Sequence, residues 1–360
     1  MDWLKFFEEI VNTPTGPDLS IQEKLSTLSN VKGVLESWGF NCKYGKGSLI
    51  AETGKAPFIT LIGHFDTVFK KEDTLSRPFK VVDGKVYGPG VADMKGGIVV
   101  MLKAVKEFLD EKPELKKGLR LMINVDEELG SKVSREDMYL AAKDSVCCLS
   151  YEPARPSGAL LSARKGIAGC RIKVYGEKAH AALIGKEGAN AVVEISDKIL
   201  QMFGLIGKIE GLTVNPSIVN GGVKSNIVPD YAEAYFDIRY ARKEDLEQIE
   251  NMIGEICSKS LIKGTKAEYE FNVSRSPMRS SDSLLELVGE VAKTLRIEIS
   301  FESTGGGGDS AFFSEKGVDA LDGLGIVGGS FHSEKEYAEL NSLDERSLLS
   351  KEILKKLQNS

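Results

Sequence analysis

Leu119-Arg-Leu-Met-Ile-Asn-Val-Asp-Glu-Glu128 joins a largely apolar run, Leu119 to Val125, to three consecutive carboxylates, Asp126, Glu127 and Glu128. The run reads as a strand buried on both faces, the kind found in parallel sheets covered by helices. Adjacent acids repel one another, and at the end of a buried strand they are costly unless something strongly positive sits opposite. The nearest cation in sequence, Lys132, is a single charge beyond the turn. Either the acids point into water or they are held around metal ions.

Similar segments flank this one. Pro57 to Gly63 is a buried strand that delivers His64-Phe-Asp66, and Val146 to Tyr151 is another that ends at Glu152. Between them, Gly88-Pro-Gly-Val-Ala-Asp-Met-Lys-Gly-Gly97 leads into a helix expected from about Lys95 to Leu109, which places Asp93 at a helix start, where a carboxylate is favoured. The first fifty residues read as two helices, the second from Ser20 to Trp38 with Gly39 as its stop, followed by a strand. From Gly166 the pattern changes. Strand Ile167–Tyr175, helix Ala189–Phe203, strands Leu212–Val219 and Tyr231–Tyr240, helix Glu244–Ile256 and strand Lys266–Val273 follow in β-α-β-β-α-β order. The alternation then resumes with helix Leu284–Leu295, strand Ile297–Phe301, helix Ala311–Lys316, strand Leu324–Val327, His332 and a closing helix from about Leu343. The expected fold class is therefore α/β: a mostly parallel sheet flanked by helices, with an inserted α+β ferredoxin-like domain. The boundaries are residues 1–165 with 277–360 for the discontinuous first domain, and 166–276 for the insert.

At 360 residues the chain is long enough for two cores. A net charge of −6, with Lys and Arg scattered, argues against a nucleic-acid partner. The five cysteines are odd in number, lack CxxC spacing and mostly lie in apolar segments, which fits core packing in a reducing cytoplasm. Cys147 and Cys148 should face opposite sides of one strand. No apolar run reaches membrane-spanning length, and the acidic start, Met1-Asp-Trp-Leu-Lys-Phe-Phe-Glu-Glu9, is unlike a signal peptide. A soluble cytoplasmic protein is expected.

In an open α/β sheet the carboxyl ends of the strands share one edge, where sites are usually built. His64, Glu128, Glu152 and His332 each follow an apolar strand closely, so groups distant in sequence become neighbours. Two of the chain's three histidines fall on this edge. Imidazoles and carboxylates without a thiolate suit zinc or a similar divalent ion. Five groups are too many for one catalytic zinc but suit two ions bridged by one carboxylate, and Asp93 is the natural bridge. Two divalent ions against three carboxylates and a bridging hydroxide leave the site neutral. Asp66, two residues past His64, lies on the same strand face and can fix the imidazole tautomer. Glu127 is left over as a general base. Each group alone has a plainer reading: a packed histidine, a helix cap or a loop acid.

The segments Gly63-His-Phe-Asp-Thr-Val68, Gly88 to Gly97, Asp126-Glu-Glu-Leu-Gly-Ser131, Tyr151-Glu-Pro153 and Phe331-His-Ser333 resemble, in order and spacing, the di-zinc exopeptidase and deacylase family of glutamate carboxypeptidase, aminoacylase, acetylornithine deacetylase and succinyl-diaminopimelate desuccinylase. The resemblance implies His64, Asp93 and Glu152 on one zinc and Asp93, Glu128 and His332 on the other, with cobalt or manganese as substitutes. It implies a cis peptide between Asp93 and Met94. Ala179-His-Ala181 resembles the segment whose histidine, in several members, reaches a partner subunit's site to stabilise the oxyanion, so His180 takes that role and the insert that of a lid and dimerisation domain. Ser225-Asn226-Ile-Val-Pro229 and Asp237-Ile-Arg239-Tyr240 resemble the stretches that supply an asparagine and an arginine to a substrate carboxylate. Arg239 reads equally well as a strand residue in an ion pair. Gly305-Gly-Gly-Gly-Asp309 resembles a glycine-rich loop beside the substrate, with Gly306 and Gly307 nearest it. Met94 departs from members that carry an acid there.

The expected activity is zinc-dependent hydrolysis of an amide bond beside a free carboxylate, by a carboxypeptidase or dipeptidase in which Glu127 activates a bridging water. Deacylation of N-acyl amino acids is the alternative. A non-catalytic metal-stabilised binding protein would leave Glu127 without a purpose.

Overall fold

A computed structural model describes residues 1–183 and 185–359. The chain divides into two compact units, one of residues 1–163, 278–304 and 308–360, the other of residues 164–277 and 305–307.

The first unit is built on a six-stranded sheet in the order Asn41–Tyr44, Ser48–Thr53, Gly118–Asn124, Phe58–His64, Ser145–Ser150, Asp319–Leu321. Its last four strands are mutually parallel, and the first two are antiparallel additions at one side. Strand alternation divides the side chains between two layers. Leu49, Ile59, Leu61, Leu119, Leu121, Ile123, Cys147 and Leu149 pack into the larger core with helices Trp3–Val11, Gly97–Asp110 and Ser342–Asn359. Ile50, Ile62, Met122 and Cys148 pack into a smaller core with helices Arg135–Ala142 and Ser310–Glu315. Cys147 and Cys148 thus face opposite layers, and burial pushes both thiols up, Cys147 to about 12.

Several expected elements differ. The helix expected over Ser20–Trp38 is two, Ile21–Thr27 and Ser29–Ser37, because Leu28 leaves the helical region at ψ 2° and its N–H bonds three residues back to Leu25. The sheet's edge strand is Asp319–Leu321, not Leu324–Val327. Residues 324 and 325 run past the end of the neighbouring strand, where their N–H groups bond the carbonyls of Ser150 and Glu152. The strand expected over Ile297–Phe301 is Phe301–Thr304, in a three-stranded sheet with Leu160–Arg164 and Met278–Arg279. The helix after Asp93 starts at Gly97, because Asp93 and Met94 have non-helical φ/ψ values within an irregular turn over Val91–Gly96. A small four-stranded sheet, Gly328–Gly329, Tyr337–Glu339, Lys85–Tyr87 and Lys80–Val82, has strands too short for a periodicity to show.

The second unit is a four-stranded antiparallel sheet in the order Thr213–Gly221, Tyr231–Tyr240, Gly166–Tyr175, Lys266–Arg275. Helices Ala191–Phe203 and Leu246–Ser258 cover one face and share its core. Numbered within the unit, the strand order is 2-3-1-4, which is the ferredoxin-like arrangement.

Candidate metal centre

The parallel register sets the geometry. His64 pairs with Asn124, two residues before Asp126, and Ile62 pairs with Ser150, two residues before Glu152. Three chain segments therefore leave the sheet at one level. His64 Nε2 lies 3.2 Å from Asp93 Oδ1 and 3.7 Å from Glu152 Oε1. His332 Nε2 lies 3.2 Å from Asp93 Oδ2 and 3.3 Å from Glu128 Oε1. The two Asp93 oxygens thus face two different imidazoles. Ligand atoms of His64, Asp93 and Glu128 all fall within 4.8 Å of one another. The Asp93–Met94 peptide is cis.

The donor set suits divalent ions. Asp93 is held below the usual carboxylate range: its burial opposes ionisation, but the hydrogen bonds from His332 and His64 outweigh it. The His332 imidazole is pushed up to about 10 by its bonds to Asp93 and Glu128. Burial lowers that of His64, yet its contacts with Asp66 and Asp93 raise it well above the ordinary value. The cluster selects positive charge, which protons on the imidazoles supply in the absence of an ion; with those protons given up, two imidazoles among ionised carboxylates match the preferences of zinc and its neighbours.

Asp66 organises the acidic turn. It is fully buried, with Oδ1 accepting the Glu127 N–H at 3.1 Å and Oδ2 accepting the Glu128 N–H at 3.0 Å. Its Oδ1 is also 3.5 Å from His64 Nδ1, whose shorter contact, 3.0 Å, is with the Asp66 carbonyl. The third acid does something else: Asp126 Oδ2 accepts from the N–H of Val133 at 2.7 Å, and its carbonyl accepts from Leu129 and Ser131. Asp126 closes the loop that presents Glu127 and Glu128.

In the second unit, Ala179–His180 pairs with Ile227–Val228, and the Ala181 N–H donates to the Asn226 carbonyl at 3.0 Å, so His180 and Asn226 are neighbours. The Arg239 fork is taken by Asp237, with Nε to Oδ1 at 2.6 Å and Nη2 to Oδ2 at 2.9 Å, while Nη1 reaches the Gly305 carbonyl at 3.4 Å. The strand ion pair that the sequence left open is therefore present. Gly306 is exposed. Gly307 accepts from Arg164 Nη1 at 2.7 Å, and a Cβ there would sit 2.4 Å from Ile167 Cδ1. A larger residue at 307 would have to push the Ile167 side chain aside.

Residues 60–356 match the sequence profile of peptidase family M20/M25/M40. The chain belongs to that family. Carboxypeptidase G2 of Pseudomonas sp. (strain RS-16) is 30% identical over 98% of this chain and 88% of its own length. Succinyl-diaminopimelate desuccinylase of Wolbachia pipientis subsp. Culex pipiens (strain wPip) is 25% identical over 91% and 87%. A crystal structure of a Bacillus subtilis dinuclear metal-binding peptidase superposes with a TM-score of 0.74 at 16% identity, covering 99% of this chain and 98% of that one. As an M20/M25/M40 protein the chain is a hydrolytic enzyme acting on amide bonds.

Three residues around this M20 centre escape a sequence reading. Glu336 is buried and accepts the N–H groups of Gly90, Ala92 and Asp93. Burial pushes its carboxyl up to about 7, with Asp93 adding repulsion and the backbone bonds opposing. Lys95 is fully buried and pulled down to about 7 by that burial, its Nζ donating to the Thr13 carbonyl at 2.7 Å. Asp309 holds Ser131 and Asn124 at 2.5 Å each beneath the acidic turn. A lysine between Met94 and Gly96, and an acid four residues past His332, were the available signals.

Proposed function

We propose that this chain is a two-zinc carboxypeptidase or dipeptidase that hydrolyses an amide bond beside a free carboxylate. The observation that carries the reading is the pair of 3.2 Å contacts from the two oxygens of Asp93 to His64 and His332. His64, Asp93 and Glu152 would hold one ion, and Asp93, Glu128 and His332 the other. Bound there, the ions supply Lewis-acid polarisation of the amide carbonyl and a more acidic water. Asp66 keeps the His64 ring oriented, and Glu127, on the turn that Asp66 clamps, takes the water's proton and returns it to the leaving amine. His180 stabilises the oxyanion, and Asn226 with the remaining face of Arg239 receives the carboxylate beside the glycine loop. The carboxypeptidase relative supports the first choice and the desuccinylase relative the alternative, deacylation of an N-acyl amino acid.

A homodimer formed through the second unit is part of the proposal. Edge strand Thr213–Gly221 exposes Ile218 and Val219, and helix Ala191–Phe203 exposes Val193, Leu200 and Phe203. Among the described residues no helix is long and apolar enough to cross a membrane. A reducing cytoplasm is the proposed location, in keeping with five free cysteines.

A panel of dipeptides and N-acyl amino acids, assayed after zinc reconstitution and again with a chelator, tests the activity. Chelator-sensitive turnover of carboxylate-bearing dipeptides is expected, and faster turnover of N-acyl amino acids would favour the alternative. No turnover of either class would overturn the reading.

A further inference from the structure

Glu336 stands four residues after His332 and immediately before strand Tyr337–Glu339, which pairs with Lys85–Tyr87. Its carboxylate is only 2% exposed. Oε1 accepts from the N–H of Ala92 at 2.9 Å and of Asp93 at 3.0 Å, and Oε2 from that of Gly90 at 3.3 Å. Three backbone donors converging on one buried carboxyl group tie down the backbone that bears Asp93. Lys95, the buried cation nearby in sequence, is occupied elsewhere: its Nζ donates to the carbonyls of Val11 and Thr13 and lies 5.2 Å from the Phe65 ring centre.

The segment between His332 and Glu336 is a chain of closed turns. The Ser333 N–H and hydroxyl both donate to the Ser330 carbonyl, at 3.2 and 2.6 Å, and the Glu336 N–H donates to the Ser333 carbonyl at 3.1 Å. Ser330 and His332 both lie in the left-handed region, at φ 57° and 60°, which these ties maintain. Such a segment moves as a piece, so whatever holds Glu336 also holds His332.

We propose that Glu336 is a positioning residue of the metal centre, locking the Asp93 backbone to the loop that carries His332 so that one carboxylate can face both imidazoles. The proposal rests on the two-ion reading above. It sets an asymmetry. His64 is anchored on a central strand and by Asp66, independently of Glu336, whereas His332 has no strand of its own. Loss of Glu336 therefore weakens the ion at His332 and Glu128 selectively. Glu336→Gln keeps an oxygen for the Ala92 and Asp93 N–H groups but turns an amide NH2 toward Gly90, and should fall between wild type and Glu336→Ala.

The test is cobalt titration of the metal-free full chain, wild type and both variants, read by visible absorption and by bound metal after equilibrium dialysis, with thermal melts of the metal-free proteins. Two tight ions are expected for wild type. For Glu336→Ala one ion should stay tight and the other weaken by about tenfold or more, the range known for groups that orient metal ligands, with a partial effect for Glu336→Gln. If Glu336→Ala does not fold, the Glu336→Gln titration decides by the same asymmetry. Two ions bound within about twofold of wild type in the deciding variant, or equal weakening of both, overturns the proposal. A wild type that binds a single ion overturns the two-ion reading instead, and Glu336 then stands or falls on whether that ion weakens about tenfold in the variant.

Discussion

Replacing Asp66 with Asn changes one atom and separates two roles. Asp66 offers two oxygens to two buried donors, the N–H groups of Glu127 and Glu128 at 3.1 and 3.0 Å. Asparagine has one acceptor oxygen, so whichever way its amide turns, one N–H of the acidic turn meets an NH2 group. A hydrogen bond to a charged group contributes about 1.5–3 kcal/mol, and a buried donor left without an acceptor costs about 1–3 kcal/mol. Taking about 1.5–3 kcal/mol for the turn, and about 1.4 kcal/mol per tenfold, the turn's productive geometry becomes roughly ten- to a hundredfold less favoured. The ion held by Glu128 should lose that much affinity, and the base on the same turn should lose alignment. Competition with a chromogenic chelator measures the first effect, and kcat against KM on the best substrate of the panel measures the second. A large fall in kcat with a smaller change in KM is expected. Metal affinity within about threefold of wild type together with an unchanged kcat would refute the idea that Asp66 builds the turn.

Glu127→Gln should reduce turnover by at least about a hundredfold while leaving the metal content unaltered, as dialysis followed by metal analysis would show. Glu194→Ala removes one partner of the fully buried Lys198, 2.6 Å away, and leaves it Asp197 and the Lys259 carbonyl, so urea unfolding should show a loss of about 1–3 kcal/mol. The Glu194 carboxyl, against its burial, is held below its ordinary range by the Lys198 hydrogen bond, so its contribution is complete above the unfolded carboxylate pKa and is lost as pH falls through the lowered value. Wild-type stability should accordingly drop below about pH 4.5 more steeply than that of Glu194→Gln. In native protein at mild alkaline pH a thiol reagent should find Cys42 first, since burial raises all five thiols but Cys147, Cys148, Cys170 and Cys257 are also closed off from solvent. Fast reaction of two or more thiols would contradict that packing.

Much of this was legible because long buried strands advertise themselves. Phe58–His64, Gly118–Asn124 and Ser145–Ser150 are apolar on both faces, and their common direction brings His64, Glu128 and Glu152 to one edge. The acids of the opening stretch divide by geometry: Glu128 faces His332, Glu127 is tied by its N–H to Asp66, and Asp126 is consumed in closing the loop. That division was only half visible, because the Asp126 bond to Val133 depends on how the loop folds back. Glu336 and Lys95 stayed hidden for a similar reason. Of the two acids Glu334 and Glu336 only the second is buried, and nothing local marks which, since its partners lie some 240 residues away in the chain. The short strands at Lys80–Val82, Lys85–Tyr87 and Tyr337–Glu339 show no period long enough to read, although they bring Glu336 to Asp93. The misplaced edge strand reflects an ambiguity of composition: Leu324 to Val327 is as apolar as a strand, yet it continues past the sheet instead of joining it.

The two-ion centre bridged by Asp93 is the claim on which the rest depends, and anomalous diffraction at the zinc edge from zinc-reconstituted crystals tests it most directly. Two peaks about 3.5–4 Å apart are expected, one beside His64 and Glu152, the other beside His332 and Glu128, with an Asp93 oxygen on each. A single peak, or two peaks that Asp93 does not join, would contradict it.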